Sequence, residues 1–455
     1  MDVNTIQLEP QSTQFSPSQF HIFLRSHAQQ AIMSAPYRGV RRNICDLIDE
    51  YDQGNTTALD KLIAAFQYIQ YQLPSSDDNS FFKIAGYHGE PFRGAGWGNS
   101  SWWGGYCQHG NVLFPTWHRA YIMRLEDALR SVEGCSDVTL PYWDETSQRT
   151  ASEGLPRIFL EEQYTFGDTF DDRKNTSIDN PLRSYTLQAD VWDNTNDGDY
   201  TKPYLYKTVR YPFSGLMGPD DEGTTEQHNR LVSLLDSDGT DGGTDELLND
   251  NVKSWLGSSI TMKSGQTFYT HTAIKYKQCL LADNYTVFSN TTSAMAWNED
   301  HFHKKKWPAT SSSASQDLPV VPLESPHNDI HLAIGGFDMG GNFSAGWVAD
   351  ANGDMGENNT AAFDPIFYFH HCFIDKKFWE WQQINNSKDK LEIIDEYPGT
   401  NSVDSQGPTP GVPGNVWLTM DTPLAPFKNG DGTSRTSNVR KILAFALCLA
   451  FLSSL

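Results

Sequence analysis

The chain has 455 residues with 34 basic and 57 acidic side chains, which gives a formal net charge of −23 at pH 7. Such an acidic chain argues against nucleic acid as a partner, because phosphate backbones attract basic surfaces, and it suits a protein that acts on neutral or cationic small molecules. With 38% hydrophobic and 13% aromatic residues, the composition excludes a disordered or collagen-like chain and predicts a large folded core.

Four helices are predicted, in chain order, from hydrophobic residues at helical spacing and from helix-start signals: 58–73, 117–132, one that starts near Pro326, and 364–384. The stretch 164–250 is rich in Asp, Gly, Asn and Thr, and it is predicted to form long loops with short elements. Strand-like alternation is sparse. We therefore predict a mainly α fold, in which a central four-helix bundle is surrounded by long irregular loops and a few short strands.

Two features of the sequence bear on localisation. Eight Asn-x-Ser/Thr sequons favour a secreted, glycosylated chain, although residues 1–20 lack the basic and apolar regions of a signal peptide. The apolar run 442–452 is too short to span a bilayer as a helix but, with the polar stretch before it, is similar to a GPI-attachment signal. A buried terminal helix and an error in the gene model are the alternatives, and a membrane is predicted as a partner only under the GPI interpretation.

Seven of the 13 histidines fall into two groups. His327 and His331 are four residues apart, which places both imidazoles on one face of a helix and aims two nitrogen ligands at one metal. His370 and His371 lie in a strongly aromatic segment, where an imidazole is costly unless a metal or another partner binds it. The other group is His88, His109 and His118. No carboxylate occurs at ligand spacing beside the second group, so all-imidazole ligation favours copper, with zinc as the rival.

Five motifs give the chain a resemblance to a known family. They are FFKIAGYHGEP at 81–91, GGYCQHGNVLFPTWHRAY at 104–121, LPYWDET at 140–146, LESPHNDIHLAIGG at 323–336 and FDPIFYFHHCFID at 363–375. In this order they resemble tyrosinase and catechol oxidase, the type 3 dicopper polyphenol oxidases, and above all the short fungal tyrosinase-like enzymes. The resemblance implies that residues 1–40 are an N-terminal extension, 41–427 a catalytic domain with the dicopper site in its helical bundle, and 428–455 a C-terminal tail.

The resemblance also implies a cofactor of two copper ions. It assigns the first copper to His88, His109 and His118 and the second to His327, His331 and His371. It further implies a thioether bond between Cys107 and the ring of His109, and a free buried thiol is the alternative. His370 is implied to be a neighbour of the copper site rather than a ligand.

Four further residues receive roles from the same resemblance. Phe367 matches an aromatic gate over one copper, with core packing as the alternative. Glu324 and Asn328 match a pair that holds a water, which can act as general base for an incoming phenol; for Glu324, a favourable charge at a helix N-terminus is the alternative. Asp375, one turn after His371, is expected either to orient a ligand ring or to be a solvated helix charge.

The implied function is the oxidation of o-diphenols to o-quinones by O₂, together with ortho-hydroxylation of monophenols. A hemocyanin-like oxygen-binding protein and, less favoured, a zinc hydrolase are the alternatives. Many members of the family carry a C-terminal domain that covers the active site, and we expect none here because only the tail 428–455 follows the catalytic domain. The sequence leaves open the preferred phenol, the disulfide pairing and the oligomeric state.

Overall fold

The structure is a computed structural model, and it describes residues 39–95, 104–167, 173–193, 200–218, 222–237, 243–262, 264–302, 319–336, 352–385, 391–404, 409–428, 436–440, 442 and 450–451. The helices of this part of the chain are α1 (Ile44–Asp52), α2 (Thr57–Gln67, continued by a π-helical turn at Tyr68–Gln72), α3 (Phe81–Gly86), α4 (Phe114–Arg130), α5 (Gln148–Glu153), α6 (Glu222–Ser237), α7 (Gly243–Gly257), α8 (Thr272–Cys279), α9 (Tyr285–Ser289), α10 (Thr291–Phe302), α11 (Glu324–Gly335) and α12 (Ile366–Ile384). The strands are β1 (Val40–Arg41), β2 (Gln163–Thr165), β3 (Ser177–Asp179), β4 (Ser259–Thr261), β5 (Thr267–Tyr269), β6 (Pro423–Lys428), β7 (Thr436–Asn438) and β8 (Ala450–Phe451).

The predicted mainly α fold is confirmed. Within the described residues the strands are short and pair two by two, β1 with β8 in parallel and the other pairs antiparallel. The predicted helices 58–73, 117–132 and 364–384 correspond to α2 with its π-helical turn, α4 and α12. Pro326 lies in the first turn of α11, where proline is tolerated because its missing N–H would have no partner inside the helix.

The stretch 164–250 is more than loops with short elements, and this prediction was wrong in part. It contains the 16-residue helix α6 and the start of the 15-residue helix α7. Helix α7 buries Leu248 and Val252 one turn apart, and α6 buries His228 and Val232 in the same way. The buried stripe of α6 (Thr225, His228 and Val232) is narrow and partly polar, and most of the apolar stripe of α7 lies beyond residue 250. The Asp and Gly residues therefore dominate the composition of 164–250 and hide the helical period.

The centre of the fold is a bundle of α2, α4, α11 and α12. Helix α4 packs against α2 and α12, and α11 packs against α12 as well as α7 and α8. Both α4 and α12 bury most of their residues on all sides, as helices in the middle of a large core do. This packing brings together α4, α11 and α12, the helices that carry His118, His327, His331 and His371.

A buried ion-pair network joins β1, α4 and α12. One carboxylate oxygen of Asp375 accepts a hydrogen bond from Arg41 at 2.8 Å, and the other accepts one from Nε of Arg119. Arg41 also pairs with Glu126 at 3.2 Å. Asp375 therefore neither orients a ligand ring nor carries a solvated charge, because both of its oxygens bind buried guanidinium groups. The network holds together the helices that carry His118 and His371.

Much of both chain ends, including the predicted N-terminal extension up to residue 38, lies outside the described residues. Of the apolar run 442–452, the structure describes Ile442, which is buried, and Ala450–Phe451, which pairs with β1. In the described part of the chain, no helix combines the length and the apolar character needed to cross a membrane.

Candidate metal centre

The first half of the site is carried by helices. His327 and His331 lie one turn apart on α11, and His371 lies on the neighbouring helix α12. The Nε2 atoms of His327 and His331 each lie 3.3 Å from Nε2 of His371. Nitrogen ligands of a tetrahedral metal with bonds of about 2.0–2.1 Å are separated by about this distance. The three nitrogens therefore have the spacing of ligands that share one metal ion.

The other ring nitrogen of two of these histidines is held by the protein. Nδ1 of His331 bonds to the carbonyl oxygen of Met355 at 2.9 Å, and Nδ1 of His327 bonds to Oδ1 of Asn328 at 2.8 Å. Each bond places the ring proton on Nδ1, which leaves the Nε2 lone pair free for a metal and fixes the ring plane.

The second half of the site is carried mostly by loops. His88 follows α3, His109 lies in the loop before α4, and His118 lies on α4 itself. Their ring centroids are 5.1 to 5.6 Å apart. Nδ1 of His88 bonds to the carbonyl of Asn358 at 3.0 Å, and Nδ1 of His118 to that of Phe114 at 2.8 Å.

In this half, the ring nitrogens of His88 and His118 that do not bond to a carbonyl have the environment of metal ligands. Nε2 of His88 and Nε2 of His118 are buried and have no hydrogen-bond partner among the described residues. A buried polar nitrogen without a partner is costly, and a bound metal ion removes that cost. The donor set thus fits a second metal ion beside the first.

The two halves close on each other. The rings of His118 and His371 stack at 4.5 Å, and those of His109 and His327 stack at 5.7 Å. Phe367 is fully buried, and its ring stacks on His371 at 4.0 Å. It also contacts rings of both halves, at 4.9 Å from His88 and 5.5 Å from His331. Phe367 thus packs behind the imidazoles, and it does not line the cavity described next.

Burial also sets the protonation state of the cluster. It is the largest cause that lowers the pKa of five imidazoles well below the ordinary histidine value, and the neighbouring rings lower it further. The five are His88, His118, His327, His331 and His371. These imidazoles are therefore neutral near pH 7, which is the form that binds a metal ion.

A cavity of about 320 Å³ opens onto the centre. Histidines of both halves line it, together with other residues of α11 and residues from two further segments, at 291 and 355–361. Its walls include His88, His109, His327, His331, Thr291, Glu324, Asn328, Leu332, Met355, Asn358 and Ala361. The volume lies at the small end of the range found for ligand pockets and suits a molecule the size of a phenol.

Comparison with known proteins identifies this arrangement. The common central domain of tyrosinase matches residues 78–384. A tyrosinase of Aspergillus oryzae is 52% identical over 398 residues, which cover 86% of this chain and 69% of the relative. The chain belongs to the tyrosinase family.

Other tyrosinases agree in sequence and in fold. A tyrosinase of Hahella sp. (strain CCB-MM4) is 48% identical over 406 residues, 85% of this chain and 68% of the relative. The solved structure of a tyrosinase from Burkholderia thailandensis at low pH matches with a TM-score of 0.73 and 42% identity, over 91% of this chain and 75% of that one.

The family relationship predicted from the motifs is thus confirmed. The protein is an oxidoreductase of the tyrosinase and catechol oxidase type, its cofactor is a pair of copper ions, and it acts on phenols and O₂. The oxygen-carrier and zinc-hydrolase alternatives are not favoured, because the relatives at about 50% identity are tyrosinases.

Glu324 and Asn328, the pair predicted to hold a water, lie at the cavity. Glu324 is buried and accepts hydrogen bonds from the backbone N–H of Gly110 at 2.6 Å and from N and Oγ1 of Thr291 at 2.8 and 2.9 Å. Burial raises the pKa of Glu324, and these bonds oppose the rise. Glu324 thus ties the loop of His109 to the start of α10. The role of the pair in holding a water stays a prediction.

Cys107 lies at the loop-borne half. Its sulfur and one ring nitrogen each of His88 and His109 lie within 4.8 Å of one another. The side-chain nitrogen of Asn358 lies 3.6 Å from the sulfur. The five cysteines that the structure describes are buried and form no disulfide. The thioether to His109 stays a prediction, which this proximity supports.

His370, Glu145 and Tyr276 form a hydrogen-bonded group that the sequence did not reveal. Nδ1 of His370 bonds to a carboxylate oxygen of Glu145 at 2.6 Å, and the hydroxyl of Tyr276 donates to the other oxygen. Burial raises the pKa of Glu145 and lowers the pKa of His370 to about 3. Glu145 lies in the LPYWDET motif, but it is 225 residues from His370, so only the fold shows the pairing. His370 thus links α12 to the loop before α5 and to α8.

Proposed function

We propose that His88, His109 and His118 hold one copper ion of this protein and that His327, His331 and His371 hold the other. The observation that carries the proposal is the convergence of ring nitrogens, with 3.3 Å between Nε2 atoms in one half and partnerless buried Nε2 atoms in the other. All-imidazole shells suit copper. When bound, the copper pair supplies the electron transfer and O₂ chemistry that side chains cannot.

The contribution of the protein to diphenol oxidation is to bind and orient the substrate. Each diphenol loses two electrons and two protons to become an o-quinone, and one O₂ takes the electrons and protons of two diphenols to become two waters. The cavity walls formed by Leu332 and Ala361 provide apolar contact for the substrate ring. Four of the six imidazole rings keep their orientation because the protein holds their Nδ1 atoms: those of His88, His118, His327 and His331.

We infer that the protein also hydroxylates monophenols, with a water held by Glu324 and Asn328 as the proton acceptor. A carboxylate offers about four lone pairs, and three donors occupy those of Glu324, so one acceptor position remains for a water. The side chain of Asn328 is exposed at the same cavity. A water between the two lies beside the site where a phenol must lose its proton before it can react.

Oxygen uptake with tyrosol and with catechol tests both steps on the copper-loaded protein. We expect Glu324→Gln to lower tyrosol turnover at least 10-fold more than catechol turnover, because only the monophenol step needs the proton acceptor. Thr291→Val is the matched control, since it removes one donor to the same carboxylate and leaves the charge in place. Equal losses for both substrates in Glu324→Gln would remove the assigned role.

We further propose that the protein is secreted and glycosylated. Of the sequon asparagines, Asn55 and Asn175 are exposed, whereas Asn290 is fully buried and is hydrogen-bonded to Ser293. Mass spectrometry of protein from the culture medium of the native host is expected to find carbohydrate on Asn55 or Asn175 and none on Asn290. Unmodified protein found only inside cells would overturn this proposal. Release of the protein from cells by a phosphatidylinositol-specific phospholipase would be the evidence for attachment to a membrane through a GPI anchor.

A further inference from the structure

One short segment touches both halves of the metal centre. We call residues 352–359 the bridging segment. Its Met355 carbonyl accepts the hydrogen bond of Nδ1 of His331 at 2.9 Å, and its Asn358 carbonyl accepts that of Nδ1 of His88 at 3.0 Å. The two carbonyls lie three residues apart, at and just after a 3₁₀ turn at Asp354–Gly356. A shift of this turn would therefore rotate a ligand of each copper.

The turn is anchored through the side chain of Asp354, which is 1% exposed. Oδ2 of Asp354 accepts hydrogen bonds from the hydroxyl of Tyr206 at 2.7 Å and from the backbone N–H of Val209 at 2.8 Å. The buried ammonium of Lys202 lies 3.9 Å from Oδ1. A buried carboxylate with these partners has little freedom, because a move would leave a charge and two donors unpaired.

The backbone leaves the turn little room to adjust. The N–H of Gly353 donates to the carbonyl of Gly335 at 2.7 Å, at the end of the helix that carries His327 and His331. A Cβ atom on Gly335 would lie 2.2 Å from the backbone nitrogen of Gly356, so the turn rests directly on that helix end. A shift of the Asp354 anchor would therefore also change the direction of the Met355 and Asn358 carbonyls.

Asp354 lies outside the catalytic machinery. It does not line the cavity, and the hydrogen bonds and ion pair of its side chain lead to residues 202–209 rather than to an imidazole. We propose that Asp354 is a positioning residue for both copper sites, which acts by fixing the turn whose carbonyls orient His331 and His88. The inference rests on the proposed copper ligands.

The test measures copper affinity rather than activity. Asp354→Asn is made in two backgrounds, His118→Ala, which leaves only the helix-borne site, and His371→Ala, which leaves only the loop-borne site. Competition with EDTA then gives the affinity of the remaining copper. We expect a loss of about 10- to 100-fold in both backgrounds, as for other residues that orient metal ligands. Unchanged affinity in either background would overturn the joint role.

A matched control separates positioning from general stability. Asp60 on α2 is equally buried and accepts hydrogen bonds from the hydroxyl of Tyr164 at 2.7 Å and from the backbone N–H of Gly167 at 3.1 Å. Asp60→Asn is expected to lower the melting temperature of the copper-free protein about as much as Asp354→Asn, without weakening copper binding. An equal loss of copper affinity in Asp60→Asn would show that instability alone explains the result.

Two further measurements keep the inference testable. If Asp354→Asn does not fold, Tyr206→Phe removes one of its hydrogen bonds and is expected to weaken both copper sites to a smaller degree; wild-type affinities in that variant would overturn the inference. Failure of the ligand assignment gives a different result, because His118→Ala and His371→Ala would then each retain two copper ions before Asp354 is changed.

Discussion

The two halves of the metal centre have the same ligand chemistry but different supports. In the helix-borne half, His327, His331 and His371 all lie on long helices, and their Nε2 atoms already lie at ligand spacing. In the loop-borne half only His118 lies on a long helix, whereas His88 and His109 lie in loops.

The difference shows what each support provides. A helix fixes the direction of its side chains through its own backbone hydrogen bonds, so two ligands one turn apart need little more than a bond to the second ring nitrogen. A loop has no such internal ladder and must be held from outside. Here the carbonyl of Asn358 orients His88, and the carboxylate of Glu324 holds Gly110, next to His109.

The largest expected effect comes from removing one ligand in each half. His118→Ala and His331→Ala should each lose one of the two copper ions and all catechol oxidation, because both metals are needed to reduce O₂. Elemental analysis of copper per chain is the measurement. His301→Ala, an exposed histidine that bonds to a carbonyl of its own helix, serves as control and should keep both ions. Two copper ions in either ligand variant would contradict the assignment.

A second change breaks the support that both halves share. Asp375→Ala removes the carboxylate that the buried guanidinium groups of Arg41 and Arg119 share and leaves Arg41 with that of Glu126, and we expect it to lower the free energy of unfolding by about 3–5 kcal/mol. Denaturant unfolding of the copper-free protein measures the loss. The control is Asp421→Ala, which breaks an exposed pair with Arg440 and should cost less than about 1 kcal/mol. Similar losses would show that the buried network is not important for stability.

A third change should affect the loop-borne half alone. If the thioether forms, the intact mass of the copper-treated wild type is lower than the sequence mass by two hydrogen atoms, and Cys107→Ser has the full mass of its sequence. We expect Cys107→Ser to release the copper of the loop-borne half at lower EDTA concentration and to leave the other copper unaffected. Cys279→Ser, at another buried cysteine, should keep the wild-type mass deficit. A wild-type mass without the deficit would refute the thioether.

The smallest effect concerns the bridging segment and its pH dependence. Burial raises the pKa of Glu357 to about 7, although hydrogen bonds from Asn352 and Tyr200 oppose the rise. The folded state therefore keeps this proton between about pH 4.5 and 7 while the unfolded state releases it, so this group lowers stability as the pH rises through that range. The melting temperature of Glu357→Gln minus that of the wild type should be larger at pH 8 than at pH 5. A difference that is constant with pH would contradict the shifted pKa.

The helices of the site could be predicted because their signals are local. The hydrophobic spacing of 58–73 and 117–132 and the interval between His327 and His331 each lie within a few turns of one helix. By contrast, α6 and the start of α7 were missed because α6 buries few residues, some of them polar, and because Asp and Gly surround both helices. The role of Asp375 was wrongly predicted because its partner Arg41 lies 334 residues away in the chain.

The sequence by itself determined the family, the mainly α fold and the candidate ligands, because motif order and helical periodicity are properties of contiguous residues. Only the tertiary structure decided what holds those ligands and their neighbour His370 in place: the Met355 and Asn358 carbonyls, the Glu145 carboxylate beside His370, and the anchor at Asp354. These contacts join residues that are far apart in the chain. A backbone carbonyl has no side-chain signature, so no pattern of amino acids could have shown which ring it orients.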